Sequence, residues 1–141
     1  MDNIKQNDLS LNIRIPANKA FTKNVLLTLD GICNHFCFTE TSRDKIKKAL
    51  ELVLDRSIEE FYNNKYGLFE LSFTINENKL LVSVEDYLLN SDNNTKTNSE
   101  KVKNVLKIVE ELTDEISFIE KENRNSCYSM SFNVSFIEDN V

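Results

Sequence analysis

The chain has 141 residues, a length that suits one compact domain, and its 40% hydrophobic and 28% charged residues exclude a disordered chain. Seventeen basic residues against 23 acidic ones leave a formal charge of -6, which opposes binding to nucleic-acid phosphates or to an anionic bilayer. With two glycines, one proline and three cysteines, collagen-like, β-helical and glycine-rich phosphate-loop architectures are excluded, as is a disulfide framework.

No apolar run approaches the roughly 20 residues of a membrane span. The opening Met1-Asp2-Asn3-Ile4-Lys5 lacks the apolar stretch of a signal peptide. The expected setting is therefore the cytoplasm. Residues 1–8 carry little to bury and are expected to be flexible, with one domain over 9–137.

Leu9, Leu11, Ile13 and Ile15 alternate with polar residues, the period of a half-buried strand, and Pro16 ends it. From Lys19 to Phe36 the period changes. Phe21, Val25, Leu29, Ile32, Cys33 and Phe36 recur at three or four residues, as on an amphipathic helix. A second helix of about 20 residues is expected from Thr41 or Ser42, with Asp44 completing a capping box on Thr41. Ile46, Ala49, Leu50, Val53, Ser57, Ile58 and Phe61 form its stripe.

Phe69, Leu71, Phe73 and Ile75 alternate again, Asn76-Glu77-Asn78-Lys79 turns, and Leu80, Val82 and Val84 return, which reads as a hairpin. Asn90 to Ser99 holds no apolar residue and reads as a functional or disordered loop. A third helix follows, capped by Asn98 or Ser99, with Val102, Val105, Leu106, Val109 and Leu112 on one side. Ile116 and Phe118 suggest a short strand. After the turn Glu122-Asn123-Arg124-Asn125, Tyr128, Met130, Phe132, Val134 and Phe136 alternate along a final strand. The order β-α-α-β-β-α-β-β predicts an α+β two-layer sandwich: a mixed, mostly antiparallel sheet with helices on one face.

Cys33, His35 and Cys37 invite a metal reading. Zinc needs four ligands, however, and no second Cys or His pair exists, so small buried thiols near a helix end are the better account. Glu51 and Asp55 stand one helical turn apart beside the apolar stripe of the second helix. Asp86 closes a strand just before the polar stretch, a common place for a ligand contact and equally for a turn residue.

These positions carry a resemblance. Asp44-Lys45-Ile46-Lys47-Lys48-Ala49-Leu50-Glu51-Leu52-Val53-Leu54-Asp55 resembles the helix of GHKL-type ATP-binding domains, specifically the Ala-x-Glu-x-x-x-Asn pattern of anti-sigma-factor serine kinases. Leu80-Leu81-Val82-Ser83-Val84-Glu85-Asp86-Tyr87 is similar to the family strand ending in Asp-x-Gly-x-Gly. Val105 to Val109 and Asp114 to Phe118 resemble its closing helix and the entry to its last hairpin. The likeness runs from about Leu9 to Ile137, and the element order agrees throughout.

The resemblance implies a GHKL fold with ATP and Mg²⁺ as cofactors. It makes Glu51 the general base of phosphoryl transfer, Asp55 the metal ligand and Asp86 the acceptor of an adenine amine. Magnesium wants hard oxygens near the triphosphate, which fits those residue types. Where the family has glycines after the aspartate, this chain has Leu88 and Asn90, and no glycine follows Gly67. Lys96, Lys101 and Lys103 could partly replace the missing phosphate lid as point charges.

The expectation is a regulator with a degraded ATP site that binds a sigma factor or a STAS-type anti-anti-sigma protein, with a homodimer implied by the resemblance. The alternative is an active ATP- and Mg-dependent protein serine kinase built on the same residues. A third reading is an α+β interaction module with no link to transcription.

Overall fold

Eight elements form in the expected order, and a computed structural model describes residues 9–61, 67–88, 99–120 and 126–137 of the chain. Strand β1 (Leu9–Pro16) is followed by helices α1 (Lys19–His35) and α2 (Glu40–Phe61). The hairpin β2 (Gly67–Asn76) and β3 (Lys79–Leu88) comes next, then α3 (Ser99–Glu110), β4 (Glu115–Glu120) and β5 (Ser126–Asn133). The fold is α+β. The sheet has five strands in the order β1-β2-β3-β5-β4, and all four pairings are antiparallel, in keeping with the mostly antiparallel sheet expected from the sequence.

Alternation sets the two faces of the sheet. Phe69, Leu71, Phe73, Leu80, Val82 and Met130 are fully buried on the side that meets the helices. The helices answer with Val25 and Leu29 of α1, Leu50, Val53 and Leu54 of α2, and Val105 and Val109 of α3. On the opposite face, Asn12, Ser72, Ser83, Ser129 and Ser117 stand in register across all five strands, with Ser72 and Ser83 hydroxyls 2.7 Å apart. The hairpin closes through Asn76 opposite Lys79, as its turn residues suggest.

Several local details depart from the sequence reading. The cap of α2 is Thr39, not Thr41: the Thr39 Oγ1 accepts the Ser42 N–H at 3.3 Å, and Glu40 then opens the helix at its positive end. Helix α3 stops at Glu110, and Leu112 lies in the following turn with its N–H bonded to the Val109 carbonyl at 2.9 Å. The last strand ends at Asn133 instead of continuing to Phe136. Ser135 donates its N–H to the Ser42 hydroxyl at 2.9 Å, and Phe136 bridges to Phe38, so the chain leaves the sheet to tie down the α1–α2 link.

Cys33 and Cys37 share no helical face, because α1 has ended before Cys37. Phe38 donates its N–H to the Cys33 carbonyl at 2.9 Å and Cys37 donates to Asn34 at 3.3 Å, the paired bonds of a Schellman cap. That motif needs a left-handed residue after the cap, and Cys37 supplies it with φ 57. Cys33 is buried and Cys37 exposed, so only one of the two expected buried thiols is buried. Left-handed backbone costs a side-chain-bearing residue about 1–2 kcal/mol, partly offset by the entropy that glycine loses on folding. Cys37→Gly is therefore expected to stabilise the protein by about 0.5–1 kcal/mol, read as a rise in the denaturation midpoint at unchanged slope.

The expected flexibility of residues 1–8, the polar stretch Asn90 to Asn98 and the turn Glu122 to Asn125 fall outside the described residues. No described helix is long and apolar enough to cross a membrane.

Candidate functional site at the end of β3

Helix α2 carries two working faces. One presses Leu50, Val53, Leu54 and Ser57 onto the sheet. The other is the i, i+4 stripe of Lys47, Glu51, Asp55 and Glu59. Three members of that stripe reach α1. Lys47 Nζ lies 3.1 Å from Asp30, the Thr22 hydroxyl donates to Asp55 Oδ1 at 3.4 Å, and Lys19 donates to Glu59 Oε1 at 2.7 Å. Arg56 adds a 3.6 Å contact to Glu59. The bond to Glu59 raises the Lys19 ammonium pKa, and the same bond lowers that of the Glu59 carboxyl. Both groups face solvent, so this pair orients the helices more than it stabilises them.

Glu51 lies exposed between Lys47 and Asp55, and Asp55 is half-buried with its oxygen turned to Thr22. Asp86 sits near the end of the central strand. It continues the inward alternation of Val82 and Val84, is half-buried, and stands opposite Phe69 on one side and Ser126 on the other. Of the three expected carboxylates, Glu51 and Asp55 thus share one stripe of α2, from which Asp55 reaches α1, and Asp86 stands on the sheet. Lys101 stands in the first turn of α3, and its side chain falls outside what is described.

Two hydroxyls beside Asp86 escaped the sequence reading as polar groups. Ser57 is fully buried on the sheet-facing side of α2, and Tyr128 is 1% exposed on β5. Tyr128 pairs with Val84, which makes it the diagonal neighbour of Asp86 on the same face, a spacing that aromatic side chains span. Its ring leans on Phe118 with centroids 5.0 Å apart. Burial pushes the phenol pKa up to about 12; the Ser57 hydroxyl opposes that shift and the Asp86 charge adds to it. Neither the Ser57 Oγ nor the Tyr128 oxygen has a partner in full hydrogen-bond geometry among the described residues. The available signal was a serine inside an apolar helix stripe.

Burial also pushes the Cys33 thiol pKa up to about 11. Both acids keep their protons in the folded chain after the unfolded chain has lost them, so stability falls as pH rises from about 9 through 12. Urea titrations over that range are expected to show the decline. Tyr128→Phe should flatten its upper part and Cys33→Ala its lower part.

His35 is exposed with its ring edge on Phe36. Among the described residues, no group of three or more His, Cys, Asp or Glu side chains is arranged to hold a metal ion. A polar cavity of about 130 Å³ lies by the first turn of α2, lined by Ser42, Lys45, Asp114 and Asn133 among others, and includes none of the expected site residues.

No family model matches the sequence, and no curated protein matches it. Among solved structures, the chain is similar to the crystal structure of the RsbU and RsbW domains of Rv1364c from Mycobacterium tuberculosis. The likeness has a TM-score of 0.66 at 12% sequence identity and covers 94% of this chain. This chain spans only 36% of that one, about a third of its length. At such an identity the likeness shows the fold: a five-stranded antiparallel sheet with three helices, in the α+β arrangement of that structure.

Proposed function

We propose that the chain is a regulator of the anti-sigma-factor kind, acting by binding a sigma factor or a STAS-type anti-anti-sigma protein, with a nucleotide site that no longer transfers phosphate. One observation carries the reading. The segments that resemble the anti-sigma-factor serine kinases occupy α2 and the end of the central strand, in a fold shared with a structure that contains an RsbW domain. In this reading Asp86 retains its place toward a ligand, while Glu51 and Asp55 serve the α1–α2 surface.

The placement of Asp55 favours partner binding over phosphoryl transfer. Its Oδ1 accepts from Thr22 on α1, and its carboxylate would add negative charge where an amide stands in the family pattern. Magnesium would need further oxygen ligands converging on that same carboxylate. The residues therefore fit the metal–triphosphate end of such a site poorly, and no chemical step is assigned to them. The acidic balance of -6 suits a basic partner surface, chiefly through the association rate. Homodimer formation belongs to the same proposal.

The test is size-exclusion chromatography with light scattering, mixing the purified chain with each sigma factor and STAS protein from the same genome. A stable complex with one of them is the expected result. Transfer of labelled phosphate from ATP to a STAS protein, lost in Glu51→Gln, would replace this reading with the kinase. Failure of every pairing would leave the general interaction module.

A further inference from the structure

Partner binding leaves the polar cavity beside the first turns of α2 without a task, and that cavity lies at the far end of the sheet from Asp86. Asp86 pairs with Ser126 at the start of β5, whereas Asn133, at the end of the same strand, lines the cavity. The cavity has a volume of about 130 Å³. An engineered cavity of roughly 150 Å³ holds one benzene, so a guest of about six non-hydrogen atoms fits.

Opposite charges line this space without meeting. Lys45 stands on the second turn of α2, and Glu111 and Asp114 lie between α3 and β4. Among the described residues none of the three forms an ion pair. The Asn133 N–H donates to Asp114 Oδ2 at 2.6 Å, which fixes that carboxylate and leaves its other oxygen open. Ser42 supplies a second, independent sign. Its side chain is nine-tenths buried, and its oxygen accepts the Ser135 N–H at 2.9 Å and the Thr39 hydroxyl at 3.2 Å. With both lone pairs taken, the Ser42 proton has no acceptor among the described residues, and Ser42 lines the cavity. A buried donor normally has a partner.

We propose that this cavity binds a small free α-amino acid as its zwitterion. The ammonium group donates to Asp114, to Glu111 and to the side-chain carbonyl of Asn133, while the carboxylate accepts from Lys45 and from the Ser42 hydroxyl. The positive end of α2 favours the carboxylate further. A lone anion would meet two carboxylates, and a lone cation would meet a lysine and the helix end. A zwitterion satisfies both signs at once. The volume admits glycine, alanine or serine and excludes leucine and the aromatic amino acids.

Amide NMR titration of the full chain with L-alanine tests the site. Saturable shifts are expected at Ser42, Lys45, Asp114 and Asn133, with a dissociation constant on the order of 1 mM for a ligand this small. N-acetylalanine lacks the ammonium and alaninamide lacks the carboxylate, so each should bind about tenfold more weakly or worse. Lys45→Met should weaken alanine about tenfold, the loss of one charge-assisted hydrogen bond, and leave alaninamide unchanged. Glu111→Gln should weaken alanine and leave N-acetylalanine unchanged. Both side chains are exposed, so neither variant threatens the fold. No saturable shift, equal binding of either blocked analogue, or equal binding of leucine would each overturn the site. None of those outcomes touches the chromatographic test of the protein partner, so the two readings fail separately.

Discussion

Phe38→Ala is expected to cost about 3–5 kcal/mol and to lower Tm by roughly 10 °C. Phe38 lies outside every helix and every named strand, yet it is fully buried. Its N–H closes the Schellman cap of α1, and its ring meets Phe136 edge-on with centroids 5.5 Å apart. On either side of it, Thr39 donates to the Ser135 carbonyl at 2.8 Å and Ile137 donates to the Cys37 carbonyl at 2.7 Å. Alanine keeps those backbone bonds but leaves a cavity that both helix ends and the tail after β5 must share. Phe36, half-buried with its ring centroid 6.4 Å from that of Phe38, supplies the comparison: Phe36→Ala should cost about half as much or less. Urea denaturation of both variants, compared at unchanged slope, separates the outcomes. Equal losses would show that the bridge between residues 37–39 and 135–137 adds nothing beyond side-chain burial.

That bridge marks the boundary of what periodicity reveals. The strands and helices were legible because each buries one face, and burial writes a period of two or 3.6 into the chain. Element order, the hairpin at Asn76–Lys79 and the two-layer arrangement all followed. The ends did not. Thr39 caps α2 through tertiary contacts around Ser42 and Ser135, and Thr41 with Asp44 offered the same local signature without them. Phe136 kept the alternation of β5 although it pairs with Phe38 outside the sheet, because a buried ring repeats the pattern whichever neighbour buries it.

The candidate site was legible in part for the same reason. Spacing alone places Glu51 and Asp55 on one stripe, but the side of α2 that meets α1 depends on how the two helices pack. Lys47, Asp55 and Glu59 all reach α1, a fact carried by Asp30, Thr22 and Lys19 and not by α2 itself. Asp86 was singled out by its place at a strand end, and the register of β3 puts it there. Ser57 and Tyr128 were read as members of apolar patterns, because a buried hydroxyl keeps the period of its neighbours. Only the register of β3 on β5 brings Tyr128 beside Asp86.

The face assignment of the central strand leads to the sharpest contrast between adjacent residues. Val82 is fully buried between Phe73 and Met130, whereas Leu81 is 44% exposed on the hydroxyl-rich face beside Thr74 and Ser131. Val82→Asp puts a carboxylate into a layer where no cation is buried among the described residues, at a cost above about 4 kcal/mol, a large share of the 5–15 kcal/mol that holds a domain together. Burial would raise that carboxyl's folded pKa above its unfolded value. The ionisation penalty is then full at neutral pH and shrinks as pH falls below the folded pKa. Val82→Asp should therefore be mostly unfolded at pH 7 and regain structure in mild acid, as far as the other carboxylates allow. Leu81→Asp changes the same chemistry one residue away and should cost only about 1 kcal/mol, the loss of some apolar contact and of strand propensity. Circular dichroism of the two variants between about pH 4 and pH 7 reads both effects across the range where carboxylates titrate. If Leu81→Asp proved as damaging as Val82→Asp, the outer face would have to be covered in solution, and the row of hydroxyls across the sheet would mark an interface.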